Sequence, residues 1–343
     1  MSGTRHGHGL VPGRFRPPHA GHHFLVRTAL DRCARVTVLV TGSAEDPPPL
    51  TLEERVGWMR EIHPEALVVG ADLTGHPASV ETVLTAVTEP VDALFTSAPD
   101  GNALARRLGA VHVLVDPERR THPVSGADVR ADPAAHWEEL AAPVRAALTR
   151  RVVVLGAGST GTTTLARALA AHYRRRGGVW ARTRYVPDAG YAYGPGREAG
   201  AGTGTRTRSA DFAVLAQEQA EREEEAARAG SPLLVCDTDA FTATVRHERR
   251  LGTASPDTGA VAARGRHHLW LLTDHRGVRA GEGDADGLRA WTTARLLTRL
   301  SHSGRRTVVL TGPHEERLAT AVAAVDALLA EGAHLTAPLP ERR

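Results

Sequence analysis

Short runs rich in β-branched residues and leucine alternate along the chain with stretches whose apolar positions recur at helical spacing. In the first half the extended runs are Arg35–Val40, Ala66–Val69, Val91–Phe95 and Val111–Val115, and helical patterns begin near Gly21, Leu52, Ser79 and Asn102. The Leu52–Ile62 pattern follows Thr51 and carries Glu53 and Glu54 in its first turn, where the helix dipole favours acids. Asp132–Arg150 reads as one helix bent at Pro143, and a domain boundary is expected at its end. The alternation restarts with RVVVL at Arg151, then a glycine-rich turn and a helix over Thr163–Arg174. Further extended runs are Val179–Val186, Leu233–Cys236, His268–Leu272 and Thr307–Leu310. Ser209 is the expected N-cap and Gly230 the stop of a long helix, whose EREEE stretch reads as a solvated face. A helix is expected over Leu288–Leu300, and 195–208 reads as a mobile glycine-rich loop. This rhythm predicts α/β architecture with parallel sheets. The expected domains are 1–150 and 151–333, with a frayed tail over 334–343.

The length of 343 residues supports two domains at about 100–200 residues each. With 41% hydrophobic and 24% charged residues, disordered and collagen-like chains are excluded. All 42 basic residues are arginine. The absence of lysine excludes Schiff-base chemistry of the pyridoxal or class I aldolase kind. The net charge of +3 admits phosphate-bearing partners. No basic run interleaves with aromatics, which argues against nucleic acid. Cys33 and Cys236 have neither metal-like nor disulfide-like spacing and read as buried thiols in a reducing compartment. No leader-like apolar segment opens the chain and no run approaches the ~20 residues of a membrane span, so a cytoplasmic protein without membrane partners is expected. His6 and His8 are expected to be disordered. The sequence leaves a homo-oligomer open.

The first chemical constellation is GLVPGRFRPPHAGH, Gly9 to His22. His19 and His22 flank Ala20-Gly21 where an extended segment passes into a helix, whose free N–H groups and dipole attract phosphate. Nucleotidyl transfer requires oriented donors for charge on the α-phosphate and pyrophosphate, and two imidazoles suit that role. The prefix Gly13-Arg14-Phe15 followed by Pro17-Pro18 resembles the GKFxPxHxGH signature of nucleotidylyltransferases, with Arg14 for lysine. Ser125–Arg130, SGADVR, resembles their ISGTxIR segment, whose Ser and Arg grip the distal phosphates.

The second constellation follows RVVVL: Gly156-Ala157-Gly158-Ser159-Thr160-Gly161-Thr162-Thr163. It fits the P-loop frame G-x-x-x-x-G-K-[ST] except that Thr162 replaces lysine. A cation beside a phosphate contributes up to about 4 kcal/mol at an effective dielectric of 20. Either another arginine supplies the charge or phosphoryl transfer is weak. The run LLVC leads into Asp237 and Asp239, candidates for holding Mg²⁺ and accepting a hydroxyl proton, or else plain strand-end caps. Asp284, Asp286 and Arg289 read either as a lid placing Arg289 over the phosphates or as a polar loop.

In order, these motifs resemble the NadR-type bifunctional family, a nicotinamide-nucleotide adenylyltransferase fused to a ribosylnicotinamide kinase. The resemblance also draws on LFTSAPDG, VLVDPERR, VPDAGYAY, LLVCDTDAF, LLTDH and TGPHEER, and covers roughly residues 9–330. It implies two doubly wound parallel-sheet domains, a Rossmann-like nucleotidylyltransferase and a P-loop NTPase-like kinase. It further implies ATP and Mg²⁺ as cofactors and nicotinamide mononucleotide or an analogue as the small-molecule substrate. On this reading His19, His22 and Arg130 act in adenylyl transfer, with Gly13, Arg14, Phe15 and Ser125 around the triphosphate. In the second domain Gly156, Gly158, Ser159, Thr160, Gly161, Thr162, Thr163 and Arg289 bind nucleotide, Asp188 or Asp237 orients the acceptor, and Thr163, Asp237 and Asp239 hold metal. The chain departs from the family pattern at Asp100, Ala127 and Tyr191-Ala192, and across a shortened Gly70–Pro90. Two alternatives stand beside this reading: a nucleotidyltransferase of specialised metabolism acting on another phosphate or phosphonate, and a nucleotide-sensing regulator. About nine residues are expected to precede a first strand ahead of the Gly9–His22 motif, too few for a helix-turn-helix.

Overall fold

The computed structural model describes residues 5–43, 46–73, 85–190, 208–278, 286–332 and 334–335. They fall into two compact units, Met1–Ala147 with His334–Arg343, and Leu148–Ala333.

In the first unit, β1 (His6–Gly13), β2 (Cys33–Gly42), β3 (Leu67–Asp72), β4 (Ala93–Thr96) and β5 (Val111–Leu114) form one parallel sheet in the order β3-β2-β1-β4-β5. Successive side chains point to opposite faces, so Val36, Val38 and Val40 pack with Leu25, Val26 and Met59 while Leu10, Leu39 and Leu94 enter a second core with Ala105. Both faces are apolar, as a helix-covered parallel sheet requires. Strand order reverses beside β1, which opens the ligand crevice of such sheets at its carboxyl end.

The second unit repeats the plan with β6 (Arg150–Gly156), β7 (Arg184–Val186), β8 (Leu233–Asp237), β9 (Leu269–Thr273) and β10 (Thr307–Leu310) in the parallel order β10-β9-β6-β8-β7. Val152, Val154, Val235 and Leu271 pack with Leu165 and Leu169 of the helix Thr162–Arg174 and with Val325 of the helix His314–Glu331. The reversal lies at β6, the strand that delivers the glycine-rich loop.

Several local expectations are corrected. His6 and His8 are ordered in β1, where the His8 ring nitrogens meet the Thr37 hydroxyl and the Pro90 carbonyl, each at 2.8 Å. Asp132–Arg150 is not one helix. It is a turn, a 3-10 segment Trp137–Glu139 and a helix Ala142–Leu148, with Pro143 in the first turn, where a missing N–H costs nothing. Val179–Val186 holds a 3-10 turn Gly178–Arg182 and only then β7. Arg208, not Ser209, caps the long helix Ser209–Ala229, its N–H donating to Asp211 at 2.8 Å, while the Ser209 hydroxyl meets His247. Within EREEE, Glu223 is buried, accepting from Gln219 at 2.9 Å and meeting the buried His267 at 2.6 Å. His334 and Leu335 are held rather than frayed, the first meeting the carbonyl of Ala131 and the second donating to that of Arg130, while 336–343 lie outside the described residues. The helix expected near Ser79 and most of the loop 195–208 lie outside the described residues. Among the described residues no helix is long and apolar enough to cross a membrane.

Leu169 is fully buried in the second core. Leu169→Ala is expected to lower the stability of that unit by about 2–5 kcal/mol in urea denaturation followed by the fluorescence of Trp180, which packs against this core.

Candidate functional site

In the first unit β1 ends at Gly13, whose carbonyl accepts from the Thr41 hydroxyl at 3.3 Å. Phe15 then turns the chain at φ 49° and buries its ring. A Cβ at Gly13 would stand 3.0 Å from that ring, which explains the glycine. Arg14 is exposed at the loop surface. His19, in extended conformation, precedes the helix Ala20–Arg32, and its N–H donates to Nδ1 of His22 at 3.3 Å. The two rings lie 3.8 Å apart, and His22 is 5.0 Å from the Phe15 ring. Gly21 leaves room for this pairing, since a Cβ there would come within 3.2 Å of the His19 ring.

Burial lowers the His19 pKa to about 4, helped by Arg119 and His122. Burial and then the His19 ring push His22 well below its ordinary value. Both imidazoles are therefore neutral at pH 7. They present ring N–H donors, and the fixed positive charge is left to arginines such as Arg119.

The second signature folds onto the first. Ser125 caps the helix Gly126–Ala131 in a reciprocal pair with Asp128: its hydroxyl donates to the Asp128 carboxylate at 2.6 Å and accepts from the Asp128 N–H at 3.1 Å. These bonds hold the Asp128 carboxyl below its usual range. Arg130 donates to the Arg16 carbonyl at 2.6 Å, and a Cβ at Gly126 would stand 2.9 Å from the same oxygen. Two motifs about a hundred residues apart thus meet at Arg16.

Sequence reasoning missed Arg55, which is fully buried and donates to the carbonyls of Arg14, Thr41 (2.8 Å) and Leu50 (2.9 Å) and to Asp46 at 2.5 Å. Asp46 also pairs with Arg16 at 3.1 Å. The signal was present, for Arg55 shares the apolar stripe of Leu52, Val56 and Met59 at helical spacing. At the ends of β4 and β5, Thr96, His112 and Asn102 form a polar chain at 2.8 and 2.9 Å next to the exposed Asp100.

In the second unit Gly156, Gly158, Ser159, Thr162, Asp188 and Asp237 line one cavity of about 240 Å³. Gly156 is required, since a Cβ would stand 2.1 Å from the Thr273 hydroxyl. Thr160 lies inside the loop, bonded to the Ala157 carbonyl and the Thr273 hydroxyl at 2.7 Å each. Gly161 opens the helix at φ 85°. The Thr163 hydroxyl donates to Asp237 at 2.5 Å, and Tyr185 adds a second donor at 3.2 Å. Burial raises the Asp237 pKa, opposed by the Thr163 bond. An oxygen-only donor set of hydroxyl and buried carboxylate fits a hard divalent cation such as Mg²⁺. Asp188 accepts from the Gly190 N–H at 2.8 Å and pairs with Arg246 at 2.5 Å.

Two expectations fail here. Asp239 borders the cavity, but its oxygens cap the helix Ala240–Leu251 and accept from the Trp270 indole at 2.9 Å, which leaves a helix cap in place of a metal ligand. Arg289 is buried and donates to the carbonyls of His275 and Val278 at 3.2–3.3 Å, outside the cavity lining. Asp284 and the Asp286 side chain lie outside the described residues. Sequence reasoning also missed Arg317, buried and donating to the carbonyls of Thr160 (3.0 Å), Asp274 (3.0 Å) and Gly312 (2.7 Å).

A cytidylyltransferase-like family model matches residues 10–132 and an AAA-domain model residues 151–317. The trifunctional NAD biosynthesis/regulator protein NadR of Escherichia coli (strain K12) is 25% identical over 309 residues, which are 82% of this chain and 71% of that protein. Over most of its length the chain resembles the NadR-type family. Its NadR counterpart from Salmonella typhimurium is 24% identical over the same shares. A nicotinamide-nucleotide adenylyltransferase of Pyrobaculum neutrophilum is 41% identical over 69 residues, 19% of this chain and 36% of the relative. The crystal structure of a NadR protein in complex with NR superposes with a TM-score of 0.71 at 18% identity, covering 99% of this chain and all of that one.

The His19 environment makes a pH prediction. With a native value near 4 and an unfolded value near 6.5, its contribution to stability is full above pH 6.5 and is lost as pH falls toward 4, because the unfolded chain takes up a proton that the native ring refuses. The imidazole resonance that disappears in His19→Ala should titrate near pH 4 in the ligand-free protein. A midpoint at 6.5 would contradict the buried, neutral pair.

Proposed function

We propose that the first unit transfers the adenylyl group of ATP to nicotinamide mononucleotide, giving NAD and pyrophosphate, and that the second phosphorylates nicotinamide riboside to supply that mononucleotide. The observation that carries the first half is the Arg130–Arg16 contact, which brings both nucleotidylyltransferase signatures to one loop beside His19 and His22. The acceptor phosphate oxygen forms a bond to the α-phosphorus while the α–β bridging bond breaks and pyrophosphate leaves. His19 and His22 donate ring hydrogens to the oxygens on which charge grows, and Arg14, Arg119 and Arg130 balance the triphosphate. Ser125 reaches the phosphates by exchanging its bond to Asp128.

The second half rests on the cavity that joins the glycine-rich loop to Asp188 and Asp237. Bound Mg²⁺ supplies charge neutralisation of the β- and γ-phosphates, with Thr163 and Asp237 as the residues that would hold it. Asp188 receives the hydrogen of the riboside hydroxyl as that oxygen bonds to the γ-phosphorus. ATP as substrate and two buried free thiols, Cys33 and Cys236, fit a cytoplasmic setting. The NAD-related names of the relatives favour the nicotinamide nucleotide over another phosphate or phosphonate acceptor.

The test separates the halves in the full chain. Fed nicotinamide riboside, ATP and Mg²⁺, His22→Ala should accumulate nicotinamide mononucleotide while NAD formation drops by about 10²–10³-fold, the usual effect of losing one oriented donor. NAD formation within a few-fold of the unsubstituted protein would remove His22 from the mechanism.

A further inference from the structure

The P-loop position that ordinarily holds lysine is Thr162, which lines the cavity with a hydroxyl and no charge. No lysine exists elsewhere in the chain to take its place. The guanidinium groups nearby are engaged in different ways. Arg317 holds the carbonyls of Thr160, Asp274 and Gly312; Arg289 holds those of His275 and Val278; Arg276 pairs with Asp274. Arg167 lies over the Tyr185 ring. Among the described residues, the arginines that line the cavity itself are Arg246 and Arg249, three residues apart on the helix Ala240–Leu251. Arg246 pairs with a second residue of the cavity lining, its Nη2 2.5 Å from Asp188, and its side chain is still 37% exposed.

Resting on the kinase reading above, we propose that Arg246 supplies the cation missing at Thr162 and does so by changing partners. In the ligand-free protein it neutralises Asp188. A γ-phosphate entering the cavity carries more charge than one carboxylate and matches the planar guanidinium fork with two oxygens. Arg246 moves onto it, and the carboxylate it leaves becomes the acceptor for the riboside hydroxyl hydrogen. The new O–P bond forms as the β–γ bridging bond breaks, ADP departs, and the proton passes from Asp188 to water. Phosphate binding thereby arms the base, so that Asp188 is exposed as an acceptor only when ATP is present.

The alternative is a structural pair in which Arg246 only fixes the Asp188 loop. The two are separated in the full chain by Arg246→Met, Asp188→Asn and Thr162→Lys. AMP-PNP affinity is measured by calorimetry with saturating NAD present to fill the first unit, and nicotinamide riboside phosphorylation by mass spectrometry. Arg246→Met should weaken AMP-PNP at least tenfold and lower kcat/KM by about 10²–10³-fold, the order found for a lost transition-state donor. Thr162→Lys on that background should recover at least tenfold of the affinity. Asp188→Asn should lose kcat but keep AMP-PNP affinity, since it leaves the guanidinium in place. If Arg246→Met leaves affinity and rate within a few-fold, or if Asp188→Asn loses affinity as Arg246→Met does, the proposal is overturned while riboside phosphorylation stands. If the unsubstituted protein phosphorylates no riboside but the affinity pattern holds, the kinase reading fails and the cation assignment survives.

Discussion

Both glycine-rich loops depend on one device, a buried arginine that gathers backbone carbonyls behind the loop. Arg55 takes those of Arg14, Thr41 and Leu50 in the first unit, and Arg317 those of Thr160, Asp274 and Gly312 in the second. Each hydrogen bond to a charged group contributes about 1.5–3 kcal/mol, and an orphaned buried carbonyl costs a similar amount. Carbonyls drawn inward leave the loop N–H groups and helix N-termini to face an anion. Lysine, with three donors on a single nitrogen, could not hold the three carbonyls and the Asp46 carboxylate that Arg55 serves from three separate nitrogens. A chain without lysine still has the better residue for this task.

The same absence shapes the chemistry in front of the loops. In the first unit the paired imidazoles are too buried to be charged, so the proposed transfer relies on neutral ring donors with the charge supplied by Arg14, Arg119 and Arg130. In the second, the cation proposed is Arg246 of the helix Ala240–Leu251, which pairs with Asp188. The carboxylates divide by partner: Asp237 meets the Thr163 hydroxyl and is raised by burial, while Asp239, two residues on, is committed to a helix cap and an indole.

Much of this was legible in the residues. Alternation of apolar runs located eight of the ten strands to within a few residues and a ninth, β7, five residues early, and the turns after β1 and β6 do pass from a strand into a helix as they were read. The rest was hidden for physical reasons. Local propensity cannot tell Asp237 from Asp239, because only the packing of Trp270 decides which one is capped. A Glu in a charged run looks solvated until His267, 44 positions later, arrives to pair with it. Arg55 and Arg317 break the apolar pattern of their helices, and that break was the readable sign of buried charge serving a backbone.

The account stands most directly on whether two lysine-free sites both turn over. Full-length protein is incubated with ATP and Mg²⁺, once with nicotinamide mononucleotide and once with nicotinamide riboside, and the products are followed by mass spectrometry. NAD in both tubes, with the mononucleotide appearing first in the second, is the predicted result. If ATP binds but neither tube yields NAD, the acceptor assignment is contradicted.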